Sequence, residues 1–311
     1  MTRTDGLLAL MVVIWGANFS VLKLALEELP PQSFNSIRIL VAAATFFIAI
    51  RLARWWAGRT GRPISAALHT TADLTPRDRF DLVWLGLVGH CLYQLAFVGG
   101  VDLTSVANAA LILGATPVVV AVMSVLLGRE RLTALHWTGV AVSFFGIYLV
   151  VGRGASFGGV TFEGDLRIMV SVLFWASYTI GAMRLVARHS PLYVTGVTLA
   201  IGAVPYVLIA LPQLFRTDWA AVSLWTWGAL VWSALFAIGL AYLIWYTAVQ
   251  RIGPTRTAIY ANVVPIAALI VASVWLGEAI TPAGGMGAVA ILGGVFLTRV
   301  GRKPSGVPIE E

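Results

Sequence analysis

The stretch from Leu111 to Val150 is written twice in this chain, and nothing else limits its fold so strongly. Shifted by 148 residues, Pro117 falls on Pro265, Glu130 on Glu278, Thr133 on Thr281, Gly139 on Gly287 and Gly146 on Gly294. Leu126 and Val274 match as apolar positions in the same register. One shared proline would carry little. Six coincidences at a single offset, without a gap, mark an internal repeat, so the chain must be built from two related units.

The repeat extends backwards. At an offset of 160, Asp5 matches Asp165, Trp15 matches Trp175 and Pro31 matches Pro191. Composition then says where such a chain can live. Hydrophobic residues make up 59% and charged residues 11% of its 311 residues, against roughly a quarter charged in a soluble domain. So little charge cannot cover a water-facing surface, and the chain reads as an all-α integral membrane protein. Ten apolar segments can be drawn: Gly6–Ala25, Phe34–Ile50, Leu82–Val101, Thr104–Leu127, Leu132–Val151, Leu166–Leu185, Pro191–Leu211, Leu224–Val249, Thr255–Leu276 and Pro282–Thr298. Most approach the roughly 20 residues a helix needs to span the hydrocarbon. They are continuous runs, not the short alternations of a β-barrel. Five spans per half is an odd number, so the second half enters from the opposite face. The expected architecture is ten transmembrane helices in two inverted-topology five-helix repeats, with residues 1–151 and 152–300 as the halves and 301–311 as a tail. Such pairs are common in secondary transporters, whose substrates bind near the midplane between the repeats.

Arg and Lys set the orientation. Sixteen of them, including Arg51, Arg77, Arg184 and Arg299, fall on the side of the N-terminus, and four, Lys23, Arg153, Arg167 and Arg216, fall on the other. That bias puts both termini in the cytoplasm, in a cell (inner) membrane. The net charge of +7 is therefore read as topology-setting, not as a nucleic-acid surface. The one long connection, about 51–81, is rich in Gly, Pro, Ser and Thr and reads as a cytoplasmic linker. The apolar run from Leu7 lacks a small-residue cleavage signature and reads as a retained first span. A single cysteine, Cys91, excludes an internal disulfide and cysteine-rich metal sites. No metal or cofactor is expected; the partners are a small-molecule substrate and the bilayer.

The block ANVVPIAALIVASVWLGEAITPAGGMGAVAILGGVFLTR (Ala261–Arg299) and its degenerate partner GATPVVVAVMSVLLGRERLTALHWTGVAVSFFGIYLV (Gly114–Val150) resemble the EamA-type permeases of the drug/metabolite transporter superfamily. VIWGANF (Val13–Phe19) and LFWASYT (Leu173–Thr179) are similar to that family's first helix in each half. The resemblance covers nearly the whole chain, and the tryptophan-rich helices also resemble the YddG-like aromatic amino-acid exporters. It implies ten helices in two inverted repeats, a central cavity, and small polar or amphipathic metabolites as substrates, amino acids prominent among them. At the first-half turn, Gly128-Arg129-Glu130 departs from the plain Gly277-Glu278 of the second half, but the glutamate remains.

Within the spans, candidate chemistry is sparse. Every Asp and Glu falls at a span end or in a loop, which argues against a mid-membrane carboxylate relay, since a buried carboxylate costs at least ~2.5 kcal/mol. His90 is the one histidine inside a span; it titrates near neutral pH when unperturbed, or is simply satisfied by a neighbouring helix. Arg38 is the clearly intramembrane cation. It either snorkels to the headgroups or caps a neighbouring helix, or it meets a substrate carboxylate. Pro117 and Pro265, each inside an apolar run, remove a backbone hydrogen bond at matching places and are candidate helix breaks or gates. Asn108 and Asn262, upstream of them, offer amides to substrate or to a neighbouring helix. Trp15, Asn18, Tyr93, Trp175, Tyr178, Trp245 and Tyr260 lie deep in spans, where an indole N–H or phenol O–H wants a partner; an aromatic-lined cavity is the expected reason. Tyr246 belongs to that deeper set, whereas Trp55, Trp56, Trp219, Trp225 and Trp227 suit interfacial belts. The glycines at 99–100, 284–287 and 293–294 suit close helix packing.

The reading is a secondary transporter, not an enzyme, exporting amino acids or similar metabolites by alternating access. The alternative is an exporter or facilitator of another small molecule, such as a drug, nucleobase or lipid-linked headgroup, on the same scaffold. An intramembrane lipid enzyme needs a nucleophile–base pair or metal cluster within the spans, and the sequence offers no such set.

Overall fold

A computed structural model of the chain describes residues 3–60, 68, 72–126, 133–152, 160–261, 263–279 and 282–300. Every regular element among them is helical. In order they are α1 (Arg3–Ala25), α2 (Pro31–Thr60), α3 (Pro76–Gly86), a π-helical segment π1 (Leu87–Leu92) and α4 (Tyr93–Leu103). Next come α5 (Val106–Gly114), α6 (Thr116–Leu126), α7 (Ala134–Gly152), α8 (Val160–Val186) and α9 (Pro191–Arg216). The last are α10 (Leu224–Trp232), a second π segment π2 (Ser233–Leu240), α11 (Ala241–Ala261), α12 (Val264–Trp275) and α13 (Pro282–Val300). Among the described residues, six helical stretches are long and apolar enough to cross a membrane, and four shorter apolar helices accompany them. Large apolar side chains such as Val204, Leu208 and Val274 point outward from the bundle. That is the surface of a protein solvated by lipid tails.

Helix starts are satisfied locally, as a membrane requires. Thr75 caps α3 with its hydroxyl on the Asp78 N–H, and the Asp78 carboxylate reaches back to the Thr75 N–H, a capping box followed by Pro76. Ser105, Ser190 and Ser223 cap α5, α9 and α10 through the same hydroxyl contact three residues on.

Two expectations change. The helix α2 runs on to Thr60, so the first ten residues assigned to the linker are helical. Pro117 and Pro265 do not interrupt helices from within. Gly114 ends α5, Ala115 intervenes, and Pro117 is the second residue of α6, as Pro265 is of α12. At a first turn the missing N–H would have had no intrahelical partner. The breaks therefore cost little, and they shorten the fourth and ninth apolar segments.

Packing places the two halves against each other. The helix α1 lies on α12, α4 on α8, α2 on α9 and α7 on α13. Small residues permit the closest crossings: a methyl on Gly16 would come within 2.6 Å of Ala267 Cβ, and one on Gly114 within 2.6 Å of the Pro265 ring. Gly146 faces the Gly287 carbonyl and Gly294 the Gly139 carbonyl, so the repeated glycines of α7 and α13 meet backbone to backbone. Gly285 and Gly293 face open space instead.

Candidate functional site

The two π segments create the centre of the molecule. A π turn inserts one residue into a helix, shifts the register beyond it and loosens a carbonyl from the ladder. In π2, the Ala237 carbonyl accepts the Trp15 indole N–H at 3.0 Å, and Ser233 offers its hydroxyl to two helices at once. The shift also turns Tyr242 inward, against Trp15 at 6.0 Å and Trp175 at 5.3 Å between ring centroids.

Between these helices lies a cavity of about 70 Å³. Its walls come from both halves of the chain: Trp15, Phe19 and Phe97 on one side, Trp175, Tyr242 and Val264 on the other. Trp15 and Trp175 meet edge to face at 6.1 Å, and Tyr93 bridges Trp175 to Phe97. Trp245 stands behind Trp15 at 5.6 Å, its buried N–H without a partner among the described residues.

The polar edge of the cavity is Arg38. It is 1% exposed, so of the readings the sequence left open, snorkelling is not what occurs: the guanidinium points inward. Its Nε donates to Asn35 Oδ1 at 2.8 Å, Nη1 to the Ser233 hydroxyl at 3.1 Å, and Nη2 to Gln94 Oε1 at 2.7 Å. The Ser233 hydroxyl in turn donates to Asn18 Oδ1 at 2.6 Å. All of these acceptors are neutral, and among the described residues no carboxylate pairs with Arg38. The Phe34 ring lies 5.9 Å below it, within cation–π range.

His90, in π1, is away from the cavity lining. It is fully buried, with Nε2 shared between the Tyr178 and Thr198 hydroxyls at 3.2 Å each, and those two hydroxyls bond to each other at 2.9 Å. Tyr178 therefore belongs to this sealed knot and supports Trp175 from behind, at 5.8 Å. Asn108 and Tyr260 also stand outside the cavity. Asn108 donates to Asp165 at 3.1 Å, where the Thr104 hydroxyl also donates at 2.5 Å, and the Tyr260 hydroxyl donates to Asp5 at 2.8 Å. Asn262 lies outside the described residues, as does Glu130. Of the expected site residues the cavity gathers Trp15, Asn18, Arg38, Tyr93 and Trp175, and it adds Phe19, Gln94, Phe97 and Tyr242.

The carboxylates that the sequence places at span ends are tied into neighbouring helices. Asp78 is buried beneath Arg184 at 2.9 Å, Arg188 at 3.2 Å and His189 at 3.3 Å, which ties the start of α3 to the end of α8. Glu278 accepts the Val106 and Ala107 N–H groups at 3.0 and 3.1 Å, capping α5 from outside. Gly277, at a φ of +66°, ends α12 and aims the glutamate there. Lys23 spends its ammonium on the last carbonyls of α4 and its cap: Val101 at 3.1 Å, Asp102 and Thr104 at 2.8 Å.

Known proteins were compared with this arrangement in hand. The profile of the EamA-like transporter family matches residues 2–152 and 162–300. The uncharacterized transporter YyaM of Bacillus subtilis (strain 168) is 27% identical over 291 residues, spanning 91% of this chain and 89% of that protein. A probable amino-acid metabolite efflux pump of Escherichia coli (strain K12) is 24% identical over 311 residues, spanning 97% and 96%. A solved crystal structure overlays with a TM-score of 0.64 at 19% identity, covering 96% of this chain and 98% of the other. At that identity the likeness is one of fold.

Proposed function

Because the chain belongs to the EamA-like transporter family, we propose that it is a carrier exporting amino acids or similar small metabolites across the cytoplasmic membrane by alternating access. The observation that carries the proposal is the aromatic-walled cavity with a buried guanidinium, built by helices from both halves. A small amphipathic solute needs an apolar wall and a few fixed polar groups, and this cavity offers both. At about 70 Å³ it is too small for a solute of amino-acid size, which enters only when one half rocks against the other.

In this reading the ten apolar segments are ten spans in two inverted repeats, with both termini cytoplasmic. The breaks before Pro117 and Pro265 let α6 and α12 swing about Gly114. Relatives named as probable amino-acid metabolite efflux pumps support the substrate class. Trp15, Trp175 and Tyr93 form the wall against the substrate's side chain, and Asn18 with Arg38 its polar end.

The test is counterflow in proteoliposomes preloaded with unlabelled amino acids, including aromatic ones, methionine and threonine. Internal substrate should accelerate labelled uptake, and Trp15→Ala or Trp175→Ala should slow it at least tenfold. If no amino acid stimulates exchange, the substrate assignment fails.

A further inference from the structure

We infer that Arg38 is a carboxylate anchor, so the carrier selects small apolar or aromatic carboxylates and treats their amino group as dispensable. This rests on the carrier reading above and names the chemistry of the same cavity. A cation taken out of water is normally paired or drawn to a mobile anion. Arg38 is 1% exposed, and its collar of Asn35, Ser233 and Gln94 is neutral. Those three bonds use three of the five guanidinium hydrogens. Among the described residues, one hydrogen on each terminal nitrogen has no protein acceptor, and the residue lines the cavity.

The fold itself does not need the charge, and the repeat shows this within one molecule. Thr198 stands 160 residues after Arg38, on the equivalent helix α9, and packs against π1 as Arg38 packs against π2. There a hydroxyl holds the two elements together through His90 and Tyr178. A threonine is thus enough to join these elements, and the guanidinium exceeds the structural need. A planar cation with unassigned donors beside an apolar chamber is the residue type that recognises a carboxylate by charge and direction together.

At the other end of the substrate, no Asp or Glu among the described residues lines the cavity, so no carboxylate there pairs with an ammonium. Its faces are indole, phenol and phenyl rings, which accept an apolar side chain; they also attract an ammonium through cation–π contact, but the Arg38 guanidinium in the same lining repels it. The cavity therefore discriminates on the carboxylate.

The experiment compares three molecules that differ at one end: phenylalanine, phenylpyruvate and phenethylamine. Each is tested by thermal shift of the purified full-length protein and as a competitor in counterflow, with chloride replaced by methanesulfonate, which carries no carboxylate. The expected result is that both acids stabilise the protein and compete within about threefold of each other, while the amine is at least tenfold weaker. Arg38→Lys should lower the affinity for both acids about tenfold while keeping their order, and Arg38→Gln should erase the preference for acid over amine. If Arg38→Gln does not fold, the wild-type ranking and Arg38→Lys decide. Amine and acid binding equally, or chloride giving the same shift as the acids, overturns the carboxylate assignment even if counterflow proceeds. Exchange of other solutes with no binding of either acid overturns it and leaves a carrier standing. Absence of binding and exchange for every solute overturns both readings.

Discussion

The two π segments share a backbone and differ in what they hold. The segment π1 covers 87–92 and π2 covers 233–240, so shifting π1 by 148 lays it on the last six residues of π2. Each receives one residue from the first helix of one half and one from the second: Asn18 and Arg38 at π2, Tyr178 and Thr198 at π1. These residues are themselves paired, since Asn18 and Tyr178, like Arg38 and Thr198, lie 160 apart. The repeat has therefore kept the backbone device and the contributing positions while the side chains have diverged. At π1 a histidine, a tyrosine and a threonine close on one another and exclude the cavity. At π2 a cation, an amide and a hydroxyl stay at its edge. A fold conserved between halves can carry function in only one of them, and the neutral copy shows what the scaffold alone requires.

The largest expected effect comes from testing how tightly each π segment is packed. A methyl added at Gly89 in π1 would stand 2.4 Å from the Tyr178 ring, whereas one at Gly239 in π2 would come no closer than 3.4 Å to the Ala234 carbonyl. Gly89→Ala should destabilise by about 2–3 kcal/mol through overpacking near the ring base. Gly239→Ala should be neutral or stabilise by up to ~1 kcal/mol by lowering the entropy of the unfolded chain. Thermal or denaturant unfolding in detergent checks both. Equal losses at the two glycines would break the comparison, because they would mean that π2 is as closed as π1.

Next is the pair of acids that open the equivalent helices α1 and α8. Asp165 is 1% exposed and holds the Thr104 hydroxyl and the Asn108 amide, while Asp5 is half-buried and accepts from Tyr260. Asp165→Ala leaves two donors buried and should cost about 1–2 kcal/mol; Asp5→Ala, at a site open to water, should cost less than ~1 kcal/mol. Smaller still is Tyr178→Phe, expected at about 1 kcal/mol, because Thr198 and His90 keep each other as partners. Its sharper readout is transport. If the knot at π1 is only structural, the ranking of carboxylate over amine stays unchanged within twofold, whereas a changed ranking would bring π1 into the site.

Much of this was legible in the chain. The repeat, the apolar segments and the deep aromatics Trp15, Tyr93 and Trp175 follow from spacing and hydropathy, which record burial directly. Arg38 was visible as an anomaly, but its direction was not, because snorkelling and inward pointing begin from the same position on a helix. Gln94 and Tyr242 escaped notice for a different reason. A π turn has no compositional signature, yet it rotates everything after it, so the face of α11 cannot be read by counting from α10. That is how Tyr242 comes to the cavity wall. Asn108 looked like a ligand for want of a partner, and the partner was Asp165, whose burial no local pattern reveals.

The helices that carry the π segments also begin differently, and this sets the smallest effect. Thr75 and Ser223 lie 148 apart and cap α3 and α10. Three residues on, α3 has Asp78, which closes its own capping box, and α10 has Thr226, which cannot supply a carboxylate. Glu28, from the turn after α1, takes that part: it accepts the Ser223 N–H at 2.9 Å and the Ser223 hydroxyl at 2.8 Å. These bonds, the backbone one foremost, hold the Glu28 carboxyl below its usual 4.5. A carboxyl lowered in the folded protein stabilises it above the unfolded value, and that contribution is lost as pH falls through the folded value. Glu28→Gln should therefore lower stability slightly at pH 7, and wild type and variant should converge once the pH is below the carboxylate range. Unfolding curves of both at neutral and acid pH measure this. A deficit as large in acid as at pH 7 would mean that the carboxylate charge is not what secures α10, and that Ser223 alone caps it as Thr75 and Asp78 together cap α3.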